Sequence, residues 1–228
     1  MNTLFDVVHN WMSADRPDMI LRSLHDSGWL AQHAPEIDKL YGIPQRPEHH
    51  PEVDVGRHVE LALGLAASWT ADPRVRYAVL VHDLGKALTP KEGWPSHIKH
   101  EELGVRPGLA LGRRLGVPRE WRLLGALTAR HHLRVHRSDS LPPRSLVRFF
   151  RDSKFFERPG LFEPFLIACE ADAKGREGLQ NREYPQVKRL RIAFAAAREV
   201  DPIGDPCTYH QERIRRVSKA LKASESIL

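Results

Sequence analysis

The sequence predicts an all-α protein folded as a helical bundle. Apolar residues recur three and four positions apart along most of the chain, which is the spacing of one face of a helix. Prolines stand at or near the start of several such segments, where the missing backbone N–H costs no hydrogen bond. No stretch alternates apolar and polar residues as a half-buried strand does, and no internal repeat interrupts the pattern.

The predicted helices follow one another with one long interruption. The second helix comes after a cap region at Asp15–Asp18. The segment Gly42–Val53 (GIPQRPEHHPEV) contains too many prolines to form a regular helix. In chain order the helices are predicted at Thr3–Ala14, Met19–Leu30, Asp54–Thr70, Pro73–Leu84, Lys99–Leu115, Pro118–His131, Pro143–Asp152, Pro159–Ala173, Pro185–Val200 and His210–Leu221.

We expect three parts along the chain: an N-terminal helical segment at residues 1–41, a main domain at 42–203, and a basic C-terminal helix and tail at 204–228. In the last part Ile214, Val217 and Leu221 share one helix face, and arginine and lysine dominate the remaining positions. A basic helix face is usually only solvated, and contact with RNA is the alternative. The net charge of +6 is compatible with phosphate-bearing ligands or RNA but is diagnostic of neither.

The composition argues against a membrane or secreted protein. No apolar run approaches the ~18 residues that a membrane span requires. The N-terminus carries acidic residues and lacks the basic region and long apolar stretch of a secretory signal. Cys169 and Cys207 are too few for a disulfide framework, and Cys169 lies in an apolar stretch where we expect a buried thiol. We therefore expect a cytoplasmic protein with no membrane partner.

Ligand-type side chains extend the apolar stripes of four predicted helices. The stripes are Ala62, Leu65 and Trp69 with His58; Val75, Ala78 and Val79 with His82; Leu124, Leu127 and Thr128 with His131; and Phe165, Ala168 and Cys169 with Asp172. Asp83 follows His82 directly, and Leu84-Gly85-Lys86 then lets the chain turn and places a cation nearby. Burial of a lone carboxylate costs on the order of several kcal/mol unless it is paired or bound to a metal. A single histidine on an apolar face is more often a core residue, but the joint pattern predicts one divalent cation bound by His58, His82, Asp83 and Asp172.

Longer motifs in the sequence resemble a known family. The order His58, His82-Asp83, Asp172 resembles the HD superfamily of metal-dependent phosphohydrolases. The resemblance is more specific to the C-terminal HD region of bacterial CCA-adding tRNA nucleotidyltransferases, and it runs from roughly Leu21 to Val200. Its motifs are PEIDKLYGIPQRPEHHPEVDVGRH (Pro35–His58), VHDLGKALTP (Val81–Pro90), WPSHIKHEELG (Trp94–Gly104), EADAKGR (Glu170–Arg176) and YPQ (Tyr184–Gln186). The nucleotidyltransferase domain of that family precedes this region, and we expect it to be absent because little sequence precedes Leu21.

The resemblance implies an HD-domain helical bundle that hydrolyses phosphate esters of nucleotides or RNA ends, as a 2′,3′-cyclic phosphodiesterase, 2′-nucleotidase or phosphatase. It implies that Asp83 orients the attacking water while it touches the metal. We expect Lys86 to neutralise charge on the phosphate and Arg176 to bind it, although solvated side chains are the competing interpretation for both. We expect a second metal site or a second layer around the first from His97, His100, His131 and His132.

The metal and the substrate are less sharply predicted. A mixed nitrogen and oxygen ligand set suits Mn, Fe, Co, Ni or Zn, and Mg less well. The resemblance implies a preference for nickel among added metals. Other HD enzymes act on dNTPs, deoxynucleoside monophosphates and signalling nucleotides, so these substrates stay open. The competing functions are a tRNA- or RNA-binding module with a structural or vestigial metal site, and a partner of a separate nucleotidyltransferase. The oligomeric state is not predicted.

Overall fold

The computed structural model describes residues 3–201 and 203–225, and all its regular elements are helical, which confirms the predicted all-α class. No helix within these ranges is both long enough and apolar enough to cross a membrane. Short 3₁₀ turns occupy Leu84–Leu88, Lys91–Gly93, Ser138–Ser140 and Pro159–Leu161. The helices are α1 (Leu4–Ser13), α2 (Pro17–Asp26), α3 (Trp29–His33), α4 (Pro35–Asp38), α5 (Val55–Trp69), α6 (Pro73–Val81), α7 (His100–Leu103), α8 (Val105–Arg114), α9 (Arg119–His136), α10 (Pro143–Asp152), α11 (Phe162–Lys174), α12 (Pro185–Arg198) and α13 (Pro206–Glu225).

Two predicted helices are each divided at a glycine. The Met19–Leu30 segment breaks into α2 and α3 because Gly28 adopts a left-handed φ of +77°. The Lys99–Leu115 segment breaks into α7 and α8 at Gly104, where a Cβ atom would lie 2.8 Å from the backbone nitrogen of Gly85. Apolar spacing continues across both breaks, so periodicity alone did not reveal them.

Other predicted helices differ at their ends. The Pro118–His131 helix continues to His136, and the Pro159–Ala173 segment begins with a 3₁₀ turn before α11. The His210–Leu221 helix begins earlier, at Pro206, because the Asp205 carboxylate accepts a hydrogen bond of 2.9 Å from the backbone N–H of Thr208 and caps α13. The short helix α4 was not predicted.

The chain divides into two compact units, and the division falls within α9 and within α11. The first unit comprises Met1–Leu133 and Pro164–Arg182, and the second comprises Arg134–Glu163 and Glu183–Leu228. The predicted parts at 1–41, 42–203 and 204–228 divide the chain at other positions, and they stay a prediction.

Each unit has an apolar core of its own. In the first unit α6 is surrounded by protein, since every residue from Val75 to Val81 is buried. In the second unit α10, α12 and the segments that flank them contribute a phenylalanine cluster. Ring centroids of neighbouring members lie 4.0 to 6.3 Å apart, and burial of one such side chain contributes about 1.5–3 kcal/mol. The cluster consists of Phe149, Phe150, Phe155, Phe156, Phe162 and Phe194.

A glycine lets the end of α11 contact α5 in the first unit. The Cβ atom of any other residue at position 175 would overlap the Cα atom of Ala62, so the two backbones touch at Gly175. This contact fixes the last turn of α11, which carries Asp172, against the helix that carries His58.

We predict that Gly175→Ala lowers the free energy of unfolding by about 1–3 kcal/mol, because the added methyl group must separate two packed backbones. Urea unfolding followed by circular dichroism measures the change. The control is Gly93→Ala, since a Cβ atom there meets nothing within 4 Å. Equal stability of the two variants would contradict the close approach.

A buried carboxylate connects α5 to α2. Glu60 accepts hydrogen bonds from the guanidinium groups of Arg22 at 2.5 Å and Arg57 at 2.8 Å, and from the hydroxyl of Tyr41 at 3.0 Å. Burial alone would raise the pKa of the Glu60 carboxyl, but these three donors hold the pKa below its usual range. The contribution to stability is therefore present above the unfolded pKa of about 4.3 and is lost as the pH falls through the lower folded pKa.

We predict that Glu60→Gln is less stable than the wild type at pH 7, and that the difference shrinks below about pH 4.3 as the wild-type carboxyl gains a proton. Urea unfolding of both proteins at pH 7 and at several acidic values measures it. A stability difference that stays constant over this range would show that the charge of Glu60 contributes nothing.

Candidate metal centre

The His82-Asp83 pair lies at a turn rather than inside a helix. The predicted Pro73–Leu84 helix ends at Val81, and a 3₁₀ turn begins at Leu84. A side chain at Gly85 would overlap the carbonyl oxygen of His100, so only glycine lets this turn approach α7 so closely. The turn therefore places Asp83 between the end of α6 and the first residue of α7.

The four predicted ligands lie together, buried in the first unit. Nε2 of His58 lies 3.1 Å from Oδ1 of Asp172 and 3.9 Å from Oδ2 of Asp83. Nε2 of His82 lies 3.5 Å and 3.2 Å from the same two oxygens. The side chains come from α5, the turn after α6, and α11, which are distant in sequence. This arrangement is what the joint pattern of apolar stripes predicted, and the assignment of the four as metal ligands stays a prediction.

A second group of ligand-type side chains shares Asp83. Its Oδ1 atom lies 3.3 Å from Nε2 of His100 and 3.8 Å from Nε2 of His132. The two imidazole Nε2 atoms lie 3.1 Å apart. Asp83 thus directs one oxygen to each group.

Two of the four additional histidines lie outside these groups within the described part of the chain. Both ring nitrogens of His97 have protein partners at 2.8 Å, the Thr89 hydroxyl and the carbonyl oxygen of Pro44. The prediction that His131 extends the buried stripe of α9 is wrong: His131 is only half-buried, whereas His132 is fully buried. The buried stripe of α9 passes through Thr128. The next buried position lies four residues later, at His132, and not three residues later, at His131.

A related correction concerns α5. His58 is completely buried as expected, but Trp69 is 40% exposed and does not belong to the core stripe. The Lys174 ammonium group lies 5.5 Å above its ring. The buried face of α5 instead passes through Ala62 and Ala66, because the helical repeat turns the stripe away from Trp69.

The orientation of three imidazole rings is fixed by backbone carbonyls. A carbonyl oxygen can only accept a hydrogen bond, so the facing Nδ1 atom carries a proton, and Nε2 is the ring nitrogen that is left to face the centre and bind a cation. Metal-bound histidines are held in this way in proteins. The bonds join Nδ1 of His82 to Val79 at 2.7 Å, Nδ1 of His100 to His97 at 2.8 Å, and Nδ1 of His132 to Ala129 at 3.0 Å.

A carboxylate that the sequence did not point to, that of Glu52, faces the ring of His58. Oε1 of Glu52 lies 3.1 Å from Nδ1 of His58 and 3.0 Å from Nδ1 of His50. Burial alone would raise the pKa of the Glu52 carboxyl, but the contacts with His50 and His58 hold it well below its usual range. Glu52 lies in a segment without helical periodicity, so its only signal was the histidine pair beside it in the motif HHPE.

The charges at the centre favour a bound cation. Burial opposes protonation of His82, but Asp83 and Asp172 raise its pKa to about 10, so the site strongly attracts positive charge. Burial lowers the pKa of His132 well below its usual value, which keeps that ring neutral. Nε2 of His82 is buried and makes no hydrogen bond of acceptable geometry within the described residues. A divalent cation between this nitrogen and the carboxylates would satisfy all of them, so the side chains present fit such an ion.

Both predicted phosphate-binding residues border the centre. The Lys86 ammonium group lies 2.6 Å from Oδ2 of Asp83 and donates a hydrogen bond to the side-chain oxygen of Gln45. The Arg176 guanidinium lies 3.7 Å from Oδ1 of Asp172 and donates a hydrogen bond of 3.0 Å to the carbonyl oxygen of His49. The contact with Gln45 was not predicted, because that residue lies in the loop before α5.

Comparisons with known proteins connect this centre to a family. A family model described as HD domain matches residues 55–196. The chain is 45% identical over 184 residues to a multifunctional CCA protein of Nitrosococcus oceani, which covers 81% of this chain and 45% of the relative. It is 44% identical over 222 residues to a multifunctional CCA protein of Paraburkholderia phymatum, covering 92% of this chain and 53% of the relative. The chain therefore spans about half the length of the curated relatives it matches.

We predict that His132→Ala weakens the binding of Co²⁺ by at least about 10-fold, because it removes one ligand-type nitrogen beside Asp83. His131→Ala is a matched control from the adjacent, half-buried position and should bind as the wild type does. Calorimetric titration of chelator-treated protein with Co²⁺ measures both. The same loss in the two variants, or no loss in His132→Ala, would contradict the proposed role of the second group.

Proposed function

The chain belongs to the HD domain family of metal-dependent phosphohydrolases, and on that basis we propose that it hydrolyses phosphate esters of nucleotides or of RNA ends. The match to relatives named multifunctional CCA protein confirms the resemblance seen in the motifs. A tRNA-related substrate is part of the proposal, and it rests on the resemblance of the motifs to CCA-adding tRNA nucleotidyltransferases.

The observation that carries the proposal is the convergence of four imidazole Nε2 atoms on two buried carboxylates. His58, His82 and Asp172 form one group with metal-ligand spacing. They are the proposed ligands of one divalent cation together with Asp83, whose Oδ2 atom lies 3.2 Å from Nε2 of His82. We further propose that Asp83, His100 and His132 hold a second cation. When bound, such a cation lowers the pKa of water and polarises a phosphoryl group.

Asp83 is the proposed orienting carboxylate. Although burial opposes its charge, His82 and Lys86 hold the pKa of the Asp83 carboxyl well below its usual range. It therefore stays ionised at neutral pH. We propose that it orients the attacking water by accepting a hydrogen bond from it, and that it does not take up the proton of the water as a general base. Lys86 restrains the carboxylate from one side through the 2.6 Å contact.

The cationic side chains are proposed to bind the substrate. Lys86 is held between Asp83 and Gln45, so its ammonium group needs little reorganisation to face a phosphate oxygen. The planar guanidinium of Arg176 matches the geometry of a phosphate group, and its Nε atom is buried without a hydrogen-bond partner in the described residues. The water oxygen then forms a bond to phosphorus, the P–O bond to the ester oxygen breaks, and that oxygen takes up a proton and becomes a hydroxyl group. We propose 2′,3′-cyclic nucleotides, 2′-nucleotides and simple phosphate monoesters as the substrates to test first.

The distribution of charge supports one competing function, RNA binding with a metal site that only stabilises the fold. The first unit carries 19 Lys and Arg against 19 Asp and Glu, whereas the second carries 16 against 10. The net charge of +6 therefore lies in the second unit. Binding of RNA through phosphates weakens steeply with added salt, which separates this hypothesis from hydrolysis.

We predict that the chain hydrolyses at least one of these phosphate esters in the presence of Ni²⁺, Mn²⁺ or Co²⁺, and that Asp83→Asn lowers turnover by roughly 10³-fold or more. The reason is that several kcal/mol of transition-state stabilisation are lost with the ligand. A steady-state screen of 2′,3′-cyclic nucleotides, nucleoside monophosphates, dNTPs and a generic phosphate ester against each metal measures this.

Asp139→Asn is the control, since Asp139 is exposed and belongs to the second unit. Circular dichroism checks that both variants keep their helical content. Undiminished turnover in Asp83→Asn would refute the assignment. Salt-sensitive RNA binding, together with no turnover of any ester, would favour the competing function.

A further inference from the structure

The second unit contains a cavity of about 550 Å³. One face of α13 lines it. The lining residues of this face lie three, four and seven positions after Pro206, and they are Tyr209, His210 and Arg213. Residues at the ends of α10 and α12 complete the lining. The volume lies in the range of small-molecule sites and is sufficient for a mononucleotide. The lining residues all belong to the second unit, whereas the groups of the candidate metal centre belong to the first.

Arg213 lines this cavity and is buried with no carboxylate of the described residues at ion-pair distance, and the charge of Glu157 in the same lining acts on it from farther away. Its side chain is only 9% exposed, and its Nε atom has no hydrogen-bond partner in the described residues. The guanidinium carbon lies 3.9 Å from the ring centroid of Phe156 and 5.3 Å from that of Tyr209. No carboxylate of the described chain forms an ion pair with it. Aromatic faces offset part of the cost of burying a cation, but they leave its hydrogen-bonding fork unused.

Two more guanidinium groups line the same cavity. Arg151 lies near the end of α10 and pairs at 2.9 Å with the exposed carboxylate of Asp152, and Arg198 is the last residue of α12. The first turn of α13 also borders the cavity, and the N-terminal end of this 20-residue helix adds a positive potential. All these groups belong to the unit that carries the net positive charge of the chain.

The lining also contains the carboxylates of Glu157 and Asp201. These would repel a bare anion, but they accept hydrogen bonds from sugar hydroxyls and from base amino groups. A ligand that carries both an anionic group and hydroxyl or amino donors therefore fits the lining better than inorganic phosphate does. Planar guanidinium groups favour a phosphate, because two parallel N–H donors match two of its oxygens.

We propose that this cavity is a second ligand site, which binds the phosphate of a nucleotide, free or at the end of an RNA, with Arg213 as its buried anchor. Arg151 and Arg198 add positive charge at the phosphate, and Glu157 and Asp201 accept hydrogen bonds from the sugar or base. The site does not depend on the proposed hydrolase activity.

Calorimetric titration of the full chain in EDTA tests the proposal. The chelator removes divalent cations, so a phosphate can no longer bind through a metal at the candidate metal centre. The probes are adenosine 5′-monophosphate, adenosine, and a short RNA with and without a 3′-phosphate. We expect the wild type to bind the monophosphate and not adenosine. Arg213→Gln should weaken binding roughly 10- to 100-fold, as expected for loss of charge-assisted hydrogen bonds. Arg215→Gln is the matched control, since Arg215 is exposed on the same helix and pairs with Glu212 at 2.7 Å.

Two further variants keep the test decisive if Arg213→Gln disturbs the fold. Arg213→Lys retains the charge but loses the planar fork. Arg198→Gln removes an exposed cation of the lining, which lies 5.8 Å from the centroid of the Phe194 ring. Weaker binding in both, with unchanged circular dichroism, supports the site. Tighter binding of the 3′-phosphorylated RNA than of the free nucleotide identifies an RNA end as the ligand, and the reverse identifies a free nucleotide. Absence of binding by the wild type, or wild-type affinity in Arg198→Gln and Arg213→Lys, would overturn the proposal.

Discussion

The structure of the first unit depends on one electrostatic constraint: two aspartates and the lone pairs of several imidazoles are buried together. Asp83 and Asp172 are almost completely buried, and Nε2 atoms of four histidines face them. Without a cation this arrangement places negative charge and lone pairs against each other in a region that water hardly reaches. Such a centre is stable only if positive charge is supplied there, by protons or by a divalent ion.

The surrounding chain is built to keep these groups in place. Backbone carbonyls fix three rings, and Glu52 faces the Nδ1 atom of a fourth, that of His58. Gly85 and Gly175 permit backbone contacts that any larger residue would prevent, and each contact lies next to a proposed ligand. The rigidity of the centre therefore comes from helix ends and close backbone packing rather than from the ligands themselves. Lys86 and Arg176 lie at its border, where cations can meet a phosphate without occupying the ligand positions.

Helical periodicity predicted the fold class and three of the central side chains, His58, His82 and Asp172, because each of these extends a stripe of core residues; Asp83 was predicted because it follows His82. Periodicity could not choose between two neighbouring residues when both lie near the same helix face, three and four positions from a core residue. From Thr128 both three and four residues lead to the same broad face, and the structure shows that His132 rather than His131 points inward. It also failed where contacts are not periodic: Glu52 and Gln45 lie in a loop, and their roles depend on how that loop folds over α5 and the turn after α6. The break at Gly104 follows from the approach of Gly85, a distant contact that no local pattern reports.

The central claim is that His58, His82, Asp83 and Asp172 hold a divalent cation. Anomalous diffraction from crystals grown with Co²⁺, measured on both sides of the metal absorption edge, tests it most directly. The account predicts a peak at coordination distance, about 2.0–2.3 Å, from Nε2 of His58 and His82 and from one oxygen each of Asp83 and Asp172. A peak confined to exposed histidines, or none at all in protein that retains its fold, would contradict it.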